Sequence, residues 1–363
     1  MLLKAIILFL FTLTFQIVGS EHGIYLQINK NIKADFDSTV NLVFMTLSDA
    51  GFKVIANRKI ATPDIVRENV EEHCGFRSHL FVFTNDAYTK NLTSFGNKYL
   101  VASFLKAAVY EDEYGIQINI ADPETINRIV FNDKYENEIF QDYVTVIKES
   151  KRIRKKILTA LHSKNLGKAV EIPMEPIRAS EDLAESSKDM FMMVGPMTFF
   201  NDEDQFPIIY ESTKNIAEVK SMFEENLKSF IPTQEDVEYR LTKNPEVLKW
   251  QIICETSSPD NKSLVLGISR TRTEGLSFHI AGSSRETETN LCPGIDHTPA
   301  YPIEVLLIEA EGKTKVYTAR EMFRMDMYFW DAGMSTFMNH MSMPSILDES
   351  IGRALLGKEY NQD

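Results

Sequence analysis

Phe104-Leu105-Lys106-Ala107-Ala108-Val109-Tyr110-Glu111, the turn Asp112-Glu113-Tyr114-Gly115, and Ile116-Gln117-Ile118-Asn119-Ile120 read as two apolar strands joined by an acidic turn. Short β-prone runs bounded by a glycine-containing turn are the mark of a hairpin. The same grammar returns far along the chain: Ile303-Glu304-Val305-Leu306-Leu307-Ile308-Glu309, a turn with Gly312, then Lys315-Val316-Tyr317. A helical exit follows in both places. We read the repetition as a diverged duplication. It predicts an α+β fold of two compact domains, each a small, mostly antiparallel sheet packed with helices.

Working outward, Ile24, Leu26 and Ile28 alternate as a half-buried strand. A helix is expected from about Ser38, with Val40, Val43, Phe44 and Leu47 on one face and Gly51 as its stop. Phe52 to Ile60 reads as a strand, Thr62-Pro63 as the start of a second helix closed by Gly75, and Leu80-Phe81-Val82-Phe83 as a fully apolar strand. A long helix is expected from about Glu136 to Leu166. In the second half, Ile208-Ile209-Tyr210 and Ser277 to Ala281 read as strands. Ile216, Val219, Phe223 and Leu227 form a helical stripe, and Ile252-Ile253-Cys254 and Leu264-Val265-Leu266 flank a turn. Between Gly167 and Lys188, Pro173, Pro176 and the run beginning Ser180-Glu181-Asp182 have linker composition. The expected organisation is therefore a first domain over 21–166, a linker over 167–188, and a second domain over 189–363 with a Met-rich helical C-terminus.

Several stretches carry a resemblance. Phe36-Asp37-Ser38-Thr39-Val40 and Asp49-Ala50-Gly51-Phe52-Lys53-Val54-Ile55 look like the start of the family called domain of unknown function 302. Gly75-Phe76 leading into Leu80-Phe81-Val82-Phe83-Thr84-Asn85 resembles its central strand and following turn. Ala107-Ala108-Val109-Tyr110-Glu111 with Gly115, then Ala121-Asp122-Pro123, is similar to its late hairpin and exit. The match runs from Ile32 to Leu161. It departs from the pattern at Asp86-Ala87, where a proline-containing stretch is expected. The resemblance implies a compact α+β domain, often found in exported bacterial proteins, with no established activity and no catalytic residues to carry over.

The chain has 363 residues and a formal charge of −13. That balance argues against broad nucleic-acid binding, which needs a basic face to displace counterions. Lys4 precedes the apolar run from Ala5 to Phe11, and Val18-Gly19-Ser20 offers small residues to a signal peptidase. The pattern predicts a signal peptide over 1–20, cleavage after Ser20, and a periplasmic or secreted protein without a membrane span after cleavage. One region breaks the acidic trend. Between Val146 and Lys168, eight Lys and Arg face only Glu149. A solvated face and docking against an acidic surface, such as that of the second domain, are the two readings.

Candidate chemistry is sparse. Cys74, Cys254 and Cys292 are an odd set; free buried thiols and a Cys254–Cys292 disulfide are the alternatives. Seven of the 15 methionines lie between Met322 and Met343, and Met334, Met338 and Met341 share one helical face near His340. Thioether and imidazole ligands suit Cu(I), so copper is the candidate cofactor; core packing is the plainer reading, because methionine fills irregular gaps. Cys292-Pro293-Gly294-Ile295-Asp296-His297 could supply Cys292 and His297 to zinc or copper, or serve simply as a rigid loop. His73, Cys74 and His79 read as structural. Hydrolase elbows, zinc-protease helices, phosphate loops and haem-attachment motifs are absent from the sequence. The main expectation is an exported, non-enzymatic protein binding a small ligand or a partner protein. The alternative is a metal-handling or redox protein using the Met/His segment and the Cys292–His297 loop.

Overall fold

The computed structural model describes residues 21–66, 73–135, 139–185, 205–232, 244–287, 290–319, 321–332, 336, 340 and 343–360. The expected signal peptide, Met334, Met338 and Met341 lie outside the described residues. In chain order the first half contains β1 (Tyr25–Ile32), α1 (Phe36–Asp49), β2 (Lys53–Lys59), β3 (Ser78–Thr84), α2 (Asp86–Thr93), β4 (Leu105–Asp112) and β5 (Gly115–Ala121). It continues with α3 (Pro123–Val130), α4 (Phe140–His162), β6 (Lys168–Pro173) and α5 (Ser180–Glu185). The second half contains β7 (Ile208–Ser212), α6 (Ile216–Ser229), β8 (Gln251–Ser257), β9 (Ser263–Ser269), α7 (Thr271–Gly282), β10 (Ile303–Ala310), β11 (Lys313–Thr318), α8 (Glu321–Tyr328) and α9 (Met343–Leu356).

Helices α1, α2, α3 and α6 start where short polar side chains can satisfy free backbone N–H groups. Asp35 accepts from Ser38 N at 2.9 Å, and Asn85 from Tyr88 N at 3.1 Å. Asp122, followed by Pro123, accepts from Glu124 N at 3.1 Å. Asn215 and Glu218 form a reciprocal capping box. No helix among the described residues is long and apolar enough to cross a membrane.

Two antiparallel sheets result, ordered β2-β3-β4-β5-β1-β6 and β7-β11-β10-β9-β8. Read from its other end, the second sheet repeats β2-β3-β4-β5-β1 strand for strand. The registers agree too. β2 slips between Val54 and Ala56 against β3, and β8 slips between Ile252 and Cys254 against β9. Asp112 faces Gly115 across the first late hairpin, and Ala310 faces Lys313 across the second. Cys254 thus stands where Ala56 does, and Glu304 where Lys106 does. The two-domain α+β architecture is as expected.

Two expectations change. Ser277 to Ala281 is not a strand but part of α7. Phe278 and Ala281, three residues apart, are both buried, which is the spacing of one helical face. The 167–188 segment is more than a linker. β6 pairs antiparallel with β1, covering an edge that would otherwise present unpaired backbone groups. Where the helix expected between Thr62 and Gly75 begins, a 3-10 turn runs over Pro63–Val66, with Ile65 N donating to Thr62 O at 3.2 Å, and 67–72 lie outside the described residues.

Buried side chains of both halves belong to one continuous apolar cluster. The halves embrace reciprocally: the 3-10 segment Pro293–Ala300 packs on β4, and its counterpart Asn97–Ser103 packs on β9 and β10. At the centre the Lys106 ammonium meets the Glu304 carboxylate, with Tyr328 Oη 2.9 Å and Pro302 O 3.3 Å from Nζ. On α4, Lys148, Lys151, Arg152 and Lys155 are exposed, which fits the solvated-face reading, while ion pairs to its own half come from Arg154 and Lys151. Arg154 reaches Asp122 at 2.9 Å and Glu124 at 3.1 Å, and Lys151 reaches Glu124 at 3.4 Å.

Candidate functional site

After β2 the chain leaves the first sheet and lies against the second half. Glu274 on α7, fully buried, holds its start: Oε1 accepts from Arg58 Nη1 and Oε2 from Ala61 N, each at 2.9 Å, and Ser269 Oγ also donates to Oε1. The approach needs glycine at Gly275, because a Cβ there would collide with Ile65 and Thr62. This packing fixes the Pro63–Val66 turn and places Asp64.

Asp64 then gathers the far end of the segment. Its Oδ1 accepts from Cys74 N and its Oδ2 from Gly75 N, each at 2.9 Å. Gly75 has φ +68°, a conformation glycine adopts without strain. Cys74 is disulfide-bonded to Cys292, with 6.2 Å between Cα atoms, inside the range for such a bridge. Asp64 Oδ1 lies 3.3 Å from Cys74 Sγ and 3.7 Å from Cys292 Sγ. Cys292 is buried, whereas Cys74 and Asp64 are half-buried. The bridge ties the two halves across 218 residues of sequence.

Of the two alternatives for the cysteines, a Cys254–Cys292 pairing is overturned and a free buried thiol holds for Cys254 alone. Cys254 is free and buried on β8, and burial pushes its thiol up to about 12. It sits on the far strand of the second sheet, while the reciprocal packing brings the segment before β3 to the segment before β10.

His297 is placed differently from Cys292. Its Nδ1 donates to Asp296 Oδ1 and its Nε2 to Asp331 Oδ1, each at 2.7 Å. Arg285 completes the cluster with paired hydrogen bonds to Asp296 at 2.8 and 3.0 Å, and lies 3.3 Å from Asp331. Phe329 stacks on the imidazole and Tyr25 meets it edge-on. Burial alone would lower the imidazole, but Asp331 and Asp296 hold it up at about 9. Burial likewise opposes Asp296 ionisation, yet Arg285 and His297 keep its carboxyl well below the usual range. Each ring nitrogen of His297 is thus engaged by a carboxylate, one from Asp296 and one from Asp331. His340 Nδ1 lies 2.8 Å from Thr336 O.

Beside this cluster a cleft of about 510 Å³ separates the halves, lined in part by Lys30, Tyr110, Asp112, Tyr114, Arg285 and Asp296. Burial raises Asp112 to about 6, against the opposing hydrogen bonds from Gln117 and Tyr114 N. Sequence reasoning did not find Asp64, Arg285 or Asp331. None has a motif around it, and each acquires meaning only from its tertiary neighbours.

No family model matches the chain, and no curated protein matches it. Among solved structures it is similar to the crystal structure of the uncharacterized conserved protein DUF302 from Bacillus stearothermophilus. The likeness has 12% identity and a TM-score of 0.29, and covers 38% of this chain and 96% of that one. The similarity is remote.

Proposed function

We propose that this chain is an exported, thiol-based redox protein built from two copies of a domain-of-unknown-function-302-like unit, with Cys74 and Cys292 as its reducible pair. The observation that carries the reading is the meeting of two cysteines from separate halves beside the Asp64 carboxylate. Persistent disulfides belong to oxidising compartments, in keeping with the export pattern of Lys4, the apolar run and Val18-Gly19-Ser20. The shared strand order and matching β2 and β8 register slips support the duplication.

The chemistry is a two-electron exchange. An external dithiol attacks as thiolate at Cys74 Sγ, the less buried sulfur. The Cys74–Cys292 bond breaks, a mixed disulfide forms, and Cys292 leaves to be protonated. The second reductant thiol then displaces Cys74, so the reductant ends as a disulfide and the protein as two thiols. Because Glu274 holds Arg58 and Ala61 independently, reduction releases the Cys74 end of the segment without separating the halves.

Thiol counting on the folded chain tests this. Purified without reductant, it should yield no reactive thiol until denatured, then one, from Cys254. After a dithiol treatment that leaves circular dichroism unchanged, two further thiols should become alkylatable and re-form the bridge on removal of the reductant. Three thiols in the untreated protein, or a bridge reducible only on unfolding, would refute the proposal.

A further inference from the structure

We infer that the reduced pair, together with Asp64, forms a binding site for a thiophilic divalent cation, with Zn²⁺ as the best fit. The inference rests on the redox reading above, since only the opened pair can supply two thiolates. Among the described residues, Asp64, Cys74 and Cys292 form the one group of three or more His, Cys, Asp or Glu whose ligand atoms converge within 4.8 Å.

The spacing fits a tetrahedral ion. Zinc bonds of about 2.0–2.3 Å to oxygen and sulfur imply ligand-to-ligand edges of roughly 3.3–3.8 Å. The two oxygen-to-sulfur edges, at 3.3 and 3.7 Å, already lie there. Only the sulfur-to-sulfur edge must open, from bonding distance to roughly 3.8 Å, which cleavage of the bridge permits. The donor set selects the metal, because thiolates favour zinc and Cu(I) over magnesium or calcium, and an added carboxylate favours zinc.

Charge and support point the same way. Two thiolates beside a carboxylate would crowd three negative charges together, and a divalent ion offsets two of them as the thiol protons are released. The N–H groups of Cys74 and Gly75 already orient Asp64, as outer hydrogen bonds do for metal-ligating carboxylates. The half-exposed positions of Cys74 and Asp64 leave room for water as a fourth ligand. The site would then alternate between a disulfide that excludes the ion and a dithiol that takes it.

Anaerobic titration of the full reduced chain with Zn²⁺ against a chromophoric chelator tests the inference, with Cd²⁺ in parallel to detect thiolate-to-metal charge transfer. Reduced protein should take up one ion, oxidised protein none. Asp64→Asn should bind at least about tenfold more weakly while re-forming its disulfide normally. Cys254→Ser should bind as wild type does. A reduced chain whose Cys74 and Cys292 are alkylatable but which takes up no ion would overturn the metal site and leave the redox reading standing. Uptake unaltered in Cys74→Ser would also overturn it. A bridge that cannot be reduced in the folded chain would overturn both.

Discussion

Raising the pH should remove a measurable share of the stability through His297 alone. Its folded pKa of about 9 lies above the ordinary 6.5 because two carboxylates take both ring protons. The native state therefore holds this proton more tightly than the unfolded chain does. The stabilisation is fully present below pH 6.5 and is lost as pH rises through 9. That separation corresponds to about 3 kcal/mol, at 1.36 kcal/mol per unit. Urea unfolding of wild type and His297→Gln at half-unit intervals from pH 6 to 10 isolates the effect, since every other titrating group is shared. At pH 6 the variant should be less stable by several kcal/mol, because Asp296 and Asp331 lose a buried counter-charge. The gap should narrow by about 3 kcal/mol by pH 10. Parallel curves, or a His297 ring resonance titrating near or below 6.5, would refute the ionic cluster.

Further outcomes follow from the same contacts. Glu304→Gln should cost about 3–5 kcal/mol in urea unfolding by stranding the Lys106 ammonium, whereas the double change Lys106→Met with Glu304→Leu should be near neutral. Asp112 has a folded pKa raised to about 6, so it favours the native state at low pH and disfavours it as pH rises through that value. Asp112→Asn should accordingly raise the urea midpoint at pH 8 but not at pH 4; the reverse pattern would contradict its burial. Gly275→Ala should destabilise by about 1–3 kcal/mol by pressing on Ile65 and Thr62, and should speed hydrogen exchange first around Ala61 to Asp64.

The fold was legible wherever local pattern and turn chemistry agree. The hairpins at Gly115 and Gly312 are apolar runs joined by glycine-containing turns, and the two sheets that hold them share one strand order. Phe278-His279-Ile280-Ala281 misled, because so short an apolar run fits a strand or one helical face equally well; tertiary burial of Phe278 and Ala281 settles it. The helical stripe of α4 correctly left Lys148, Lys151, Arg152 and Lys155 exposed, but it could not show that Arg154 reaches Asp122 and Glu124 at the start of another helix. The site was harder still. Cys292 and His297 stand five positions apart in sequence, yet one belongs to the bridge and the other to the Arg285 cluster. Cys74 finds Cys292 only through the reciprocal packing of the halves. Lys106 and Glu304 occupy equivalent positions in the two sheets, but nothing in either strand says that those positions face one another.

The most direct measurement is mass-spectrometric peptide mapping of the non-reduced, alkylated protein. A peptide containing Cys74 linked to one containing Cys292, with Cys254 modified only after denaturation, is the expected result. A Cys254–Cys292 link, or Cys74 alkylated in the native, unreduced chain, would contradict the account.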